Sequence, residues 1–348
     1  MKKIIYPALV CGCLGAARSA EAQNPAAGQQ ADAWRFREAL LSTSVSSNAA
    51  PELYSGETSD VGPQTLLQLK QRRHYIRAFG DEQMFYTDNV FLADKTQLVQ
   101  KGQQSSDVLV STVQVALAPD AYDVLGGQLS PEIGYQHQWF TYGLISHEQV
   151  QIVAFSTTTS PRITSIDVFD FNVQTIFGGA TWRRHNWDFS LGTDFRRFLD
   201  SGNYNEFYRE IAPRWAAHYT FPLADNKSIT VGYEGDYRFT TTQNAFPANT
   251  DDYNDRTDHS FVLSGDWWLC PHAGLQPFYR LQYSAFTHVL GGREDLLNSF
   301  GIALQLPFTR NIALRTYISY DILQTSGQYV QSYSNLDVGG GLNLSVRF

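Results

Sequence analysis

Acid, histidine and serine stand side by side at Asp258-His259-Ser260, and three more acids, Asp251, Asp252 and Asp255, lie just upstream in NTDDYNDRTD. A serine activated by a histidine that an acid orients is the constellation of acyl transfer. Neighbouring residues of an extended strand point to opposite faces, however, so His259 and Ser260 cannot meet within one strand. Clustered carboxylates suit calcium, but this run lacks the glycine and the distal glutamate of a calcium loop. A solvated acidic loop is the simpler expectation. His137, His147, His185, His218, His259, His272 and His288 are scattered, with no pair at metal-ligand spacing. No glycine-rich phosphate loop occurs: GGGLNL continues a strand pattern and VLGGRED reads as a loop. The expectation is therefore no catalytic residue, no cofactor and no metal.

Another set of ionisable residues does follow a pattern. Asp188, Asp194 and Arg196 recur at even spacing, as do Glu210, Arg214 and His218, and then Glu234, Asp236 and Arg238. Asp266, Arg280, Arg315, Asp321, Asp337 and Arg347 continue the series, each with an apolar or aromatic neighbour. Interleaved cations and anions on one face of a sheet either set the field of an aqueous pore or pair with one another and fill the space. Neither arrangement tolerates lipid, where an arginine at midplane costs about 2–4 kcal/mol.

The elements that would position these residues have period two. In Ser228–Phe239, Ile229, Val231, Tyr233, Tyr237 and Phe239 alternate with Ser228, Thr230, Glu234, Asp236 and Arg238. Trp187–Phe195 alternates in the same way. So does Phe169–Phe177, with Phe169, Phe171, Val173, Thr175 and Phe177 set against Asp170, Asn172, Gln174 and Ile176. A strand sends successive side chains to opposite faces, so each segment has one apolar and one polar face. The apolar faces, with Trp182, Trp187, Tyr219, Phe221, Tyr237, Phe239 and Trp267 near strand ends, are expected to meet lipid, and the polar faces a lumen. Twelve such runs are expected, at 73–87, 106–118, 129–142, 166–182, 187–199, 205–221, 226–240, 258–270, 273–289, 295–307, 310–324 and 334–348. Most exceed the span of about 9–11 residues that crosses a bilayer at a tilt. Tight connections (RRHN, LADNK, CPHAG, PFTRN) alternate with longer polar ones, which predicts short turns on one rim and long loops on the other. Residues 118–128 are long for a tight turn, and HEQVQIVAF within 143–165 could add a strand.

Composition agrees. The chain has 348 residues with 14% aromatic and 17% charged, yet its mean hydropathy is only -0.29. A bundle of membrane helices would be far more apolar, whereas strands with one apolar face fit. Lys2 and Lys3, the apolar run from Ile4 to Ala17 and Ala20-Glu21-Ala22 predict a signal peptide over 1–22 cleaved near Ala22. Cys13 in VCGC is a weaker lipidation candidate. Residues 23–71, rich in Ala, Ser, Gln, Pro and Gly, read as a flexible periplasmic leader before a barrel at 72–348. Without residues 1–22 only Cys270 of the three cysteines remains, which leaves no internal disulfide. The net charge of -8 argues against nucleic acid as a partner.

From Leu336 to Phe348 every second residue is apolar or glycine, and the chain stops on Phe348. This stretch resembles the C-terminal strand of bacterial outer-membrane β-barrel proteins, with Asn343 where glycine is common. FYTDNVFL (85–92) and DVGPQ (60–64) are similar to segments of porin-like barrels of no defined activity. The resemblance implies an all-β antiparallel transmembrane barrel of about twelve strands in the outer membrane of a Gram-negative-type bacterium, with Phe348 read by the barrel assembly machinery. It further implies outer-membrane lipid as surroundings and passive passage of small hydrophilic solutes. The alternative is a non-conducting barrel that anchors or exports a surface polymer. The outer-membrane phospholipases also have twelve strands, but their His-x-Ser-Asn-Gly does not occur here, so no enzyme is expected.

Overall fold

The computed structural model describes residues 75–90, 92, 105–145, 149–152, 162–165, 169–242, 251–289, 291–309, 311–327 and 332–348. The expected signal peptide, Cys13 and the leader over 23–71 lie outside them. The chain forms β1 (Ile76–Thr87), β2 (Ser106–Leu117), β3 (Tyr122–Val124), β4 (Gly127–Tyr142), β5 (Gln149–Ile152), β6 (Arg162–Ser165), β7 (Phe171–Arg184) and β8 (Trp187–Asp200). It continues with β9 (Glu206–Ala224), β10 (Lys227–Thr242), β11 (Arg256–Cys270), β12 (Ala273–Phe286), β13 (Arg293–Pro307), β14 (Ile312–Thr325) and β15 (Tyr333–Arg347). Twelve long strands pair antiparallel with their sequence neighbours, and β1 pairs with β15 as well as with β2, so the sheet closes into a barrel. Closure gives every long strand a partner on both sides and leaves no exposed edge.

Two segments carry more structure than twelve strands require. Within 118–128, β3 pairs with the foot of β4. Within 143–165, β5 and β6 form a separate two-stranded hairpin, Gln149 facing Ser165. The strand expected from residue 166 begins at Phe171 instead.

Turn chemistry sets the tight rim. Val124 pairs with Gly127 across Leu125 and Gly126, whose φ values of 52° and 72° are those of a two-residue hairpin that follows the sheet's own twist. His185 takes φ 54° in the Arg184–Trp187 turn. At the closing seam the strands approach closely along GGG. A Cβ on Gly339 would stand 2.5 Å from the Met84 carbonyl oxygen, and one on Gly340 would stand 2.7 Å from that of Arg315. Only glycine lets β15 sit this near both neighbours.

The outward face is apolar. Leu191 is 71% exposed, Ile133 57% and Ile176 53%, and Phe261, Phe300, Ile318, Leu342 and Leu344 are exposed in the same alternation. At the tight-turn rim, aromatics contact one another along this face: Trp187 with Tyr219 at 4.8 Å between centroids and Tyr219 with Phe221 at 4.5 Å. Such a surface is stable only in hydrocarbon, with the amphipathic rings at its border. The fold is therefore that of a transmembrane β-barrel.

One strand departs from the expected orientation. On β7 the apolar set Phe171, Val173 and Phe177 is buried inside, while Ile176, Gln174 and Arg184 point outward. Register explains it. Thr175 lies opposite Arg196 and Phe177 opposite Asp194, and residues directly opposite in adjacent strands share a face. With the inward face of β8 fixed by Asp194 and Arg196, β7 must turn Phe171 and Phe177 inward too.

Candidate functional site

The inward face of β8 to β12 is a wall of fixed charges. Asp194 and Arg196 are both 0% exposed. Arg196 pairs with Glu210 on β9, whose carboxylate also lies 3.8 Å from Arg238 Nη1 on β10. Tyr208 donates its hydroxyl to Glu210 Oε2 at 2.9 Å. Arg238 Nε reaches Asp236 at 3.0 Å and Asp258 on β11 at 2.8 Å, and Asp258 also receives Arg256 at 3.1 Å. Cations and anions therefore alternate across four strands, with Glu210 and Asp258 each shared between two arginines. Sharing offsets the cost of removing each charge from water, which for an isolated ion in a protein interior is several kcal/mol.

Toward the tight-turn end the ladder loosens. Arg214 Nε lies 3.3 Å from Asp194. Glu234 accepts from His218 Nε2 at 3.1 Å and faces Arg280 Nη2 at 3.9 Å. Gln276 donates to Asp266 at 3.5 Å, and Asp188 meets Arg183 at 3.1 Å in a half-exposed pair. On the seam side, Arg315 faces Asp81 at 3.7 Å, Asp337 accepts from Asn335 at 2.9 Å and Arg347 lies 3.6 Å from Asp120 at the rim. The residues named from the alternation thus fall into one connected upper ladder, Arg196–Glu210–Arg238 with Asp236, and several separate pairs below.

Two parts of the lumen give no signal in the motif reading, and at the loop rim a third grouping is legible only in part, from its acids. An apolar cluster fills the long-loop end between β2, β4, β7 and β8: Val110, Phe140 and Phe171 are buried, with Phe140 stacked on Phe171 at 4.4 Å. Asp81 and Gln83 lie buried beside Arg315, in a strand whose charges look unremarkable in sequence. At the long-loop rim, Asp252, Asp255 and His288 converge from two loops that are distant in sequence.

Acyl-transfer geometry is not assembled around His259. Its ring is outward and meets the Tyr233 hydroxyl at 2.6 Å, while Ser260 is inward and takes both Nε and Nη2 of Arg280, at 3.1 and 2.9 Å. The two side chains occupy opposite faces of β11.

No family model matches this sequence, nor does any curated protein. Among solved structures the chain is similar to an outer membrane channel from Pseudomonas putida F1, with 11% identity over 78% of this chain and 96% of that one and a TM-score of 0.46. It is also similar to the β domain of the Bordetella autotransporter BrkA (12% identity, 78% and 100%, TM-score 0.41) and to the NanC porin (11% identity, 76% and 98%, TM-score 0.40). At this level none carries an argument, and the functional reading rests on the chain's own residues.

Proposed function

We propose that the chain is an outer-membrane barrel of a Gram-negative-type bacterium whose charged lumen passes small hydrophilic solutes passively. The observation that carries it is the inward wall of interleaved charges, Arg196–Glu210–Arg238–Asp258, inside an apolar shell. Fixed charges of both signs in a low-dielectric tube select solutes by their own charge distribution rather than by hydrophobicity. Twelve strands enclose a lumen between the filled interior of eight and the wide channels of sixteen. The expected cleaved signal peptide and the terminal Phe348, 64% exposed with its carbonyl accepting from Tyr75 and Ile76, support delivery to the assembly machinery of that membrane.

A second reading, a closed barrel that anchors or helps export a surface polymer, draws on the burial of the same wall: Glu210, Arg238 and Asp258 are each at most 3% exposed. Planar-bilayer conductance of the refolded protein separates the two. Discrete openings whose reversal potential shifts toward cation selectivity in Arg238→Gln are the expected result. A silent bilayer with correctly folded protein favours the closed barrel.

A further inference from the structure

The rim of the long loops brings together three side chains whose donor atoms all lie within 4.8 Å of one another: Asp252 and Asp255 in the turn before β11, and His288 just after β12. Asp255 is 94% buried, being 6% exposed, and its carboxylate is held in place. Its Oδ1 accepts from the Thr240 amide at 2.6 Å and from the Thr240 hydroxyl at 2.8 Å. That fixes Oδ2, which points at His288 and, among the described residues, has no hydrogen-bond donor. His288 Nδ1 stands 3.6 Å from Asp255 Oδ2 and 3.6 Å from Asp252 Oδ2, beyond hydrogen-bonding distance of both. Its one close polar neighbour is Thr287 Oγ1 at 3.2 Å.

The two 3.6 Å separations from His288 Nδ1 fit a cation's ligand shell, and the third, between the carboxylates, lies within 4.8 Å. Around an ion with bonds of about 2.0–2.2 Å, adjacent ligand atoms in tetrahedral or octahedral geometry lie about 2.9–3.6 Å apart. Two carboxylates and an imidazole converging on one small volume form a donor set that a single dication can bridge. The backbone prearranges the site: Asp255 N donates to Asp252 O and Thr287 N donates to Asp255 O, both at 2.9 Å, tying the two loop ends before any ion arrives. One imidazole with two carboxylates suits Zn²⁺ and its borderline neighbours better than Ca²⁺, which prefers six to eight oxygens.

We propose that Asp252, Asp255 and His288 form a binding site for a single divalent transition cation of the Zn²⁺ class, fastening the β10–β11 and β12–β13 connections to each other at the barrel mouth. The site stands whether or not the lumen conducts. The experiment is calorimetric titration of Zn²⁺ into refolded, chelator-stripped full-length protein in detergent, with Ca²⁺ titrated in parallel. One Zn²⁺ per chain is expected, with binding weakened more than about tenfold in His288→Ala and in Asp252→Asn. Both substitutions are at residues that are not fully buried, and retention of the heat-modifiable band verifies that the barrel is intact. Absence of stoichiometric Zn²⁺ binding overturns the proposal, as does unchanged affinity in both variants, or Ca²⁺ binding more tightly than Zn²⁺.

Discussion

At the long-loop end of the lumen two neighbouring stretches of the wall, joined by β8, have opposite chemistry. On β9 and β10 the inward positions hold Glu210 and Arg238, linked through shared carboxylates to Arg196 and Asp258. On β4 and β7 the inward positions at the same end hold Phe140 and Phe171, stacked over Val110. β8 carries both, Arg196 and then Phe198 two residues on along one face. The apolar wall is also inverted outside, where Gln174 and His137 point away from the lumen. That polarity is only partly met: His137 Nε2 is buried without a hydrogen-bond partner among the described residues. Tyr135 OH lies 3.1 Å from His137 Nδ1, and on the same outer surface Ser111 donates to Glu82 at 2.7 Å. The lesson is that a barrel interior needs to be filled or hydrated, not uniformly polar. One wall is held by non-directional packing and the other by charges whose worth depends on every partner being present.

This contrast can be broken experimentally. Glu210→Ala removes the carboxylate that Arg196 and Arg238 both face and should cost the most, about 3–5 kcal/mol in denaturant unfolding. Replacing the pair together, Arg196→Met with Glu210→Leu, should instead be near neutral for stability. If the double variant is as unstable as the single one, the wall is a stability device rather than a lumen lining. Phe171→Ala on the apolar stretch should cost about 3–4 kcal/mol through the cavity it leaves, with no change in ion selectivity. Gly134→Ala should cost about 1–3 kcal/mol, because the new Cβ would lie 2.6 Å from the Val115 carbonyl oxygen and against the Phe177 ring. Arg77→Ala, which removes a pair with Glu132 whose side chains are 40% and 33% exposed, should change unfolding by less than about 1 kcal/mol.

The sequence disclosed the charged side of this contrast more readily than the apolar side. On β10, Glu234, Asp236 and Arg238 alternate with Tyr233, Tyr237 and Phe239, so composition alone separates the faces. On β7, Phe171, Val173 and Phe177 alternate with Asn172, Gln174 and Ile176, and the same rule puts the phenylalanines in lipid. What decides it is the register against β8, a long-range pairing that no local periodicity encodes. The β5–β6 hairpin was legible only as an extra apolar run, since a short strand's partner is not written in its own residues. The rim triad was hidden for the same reason. Asp252 and Asp255 read as a solvated loop until the β11–β12 hairpin returns His288 to them.

The seam between β1 and β15 has a kinetic consequence. Thr87 and Asn335 hydrogen-bond at 2.8 Å although 248 residues separate them in the chain. Every other strand contact in the barrel wall joins sequence neighbours and can form as a growing meander, but this one waits for the last residues to exist. The length-dependent entropy of closing such a loop in a disordered chain is on the order of 5 kcal/mol. A stack of preformed hairpins shortens the effective loop and removes most of that cost. Ring closure should therefore be the final event of folding, and deletion of β15 should leave β1 as an open edge ready to pair with another chain.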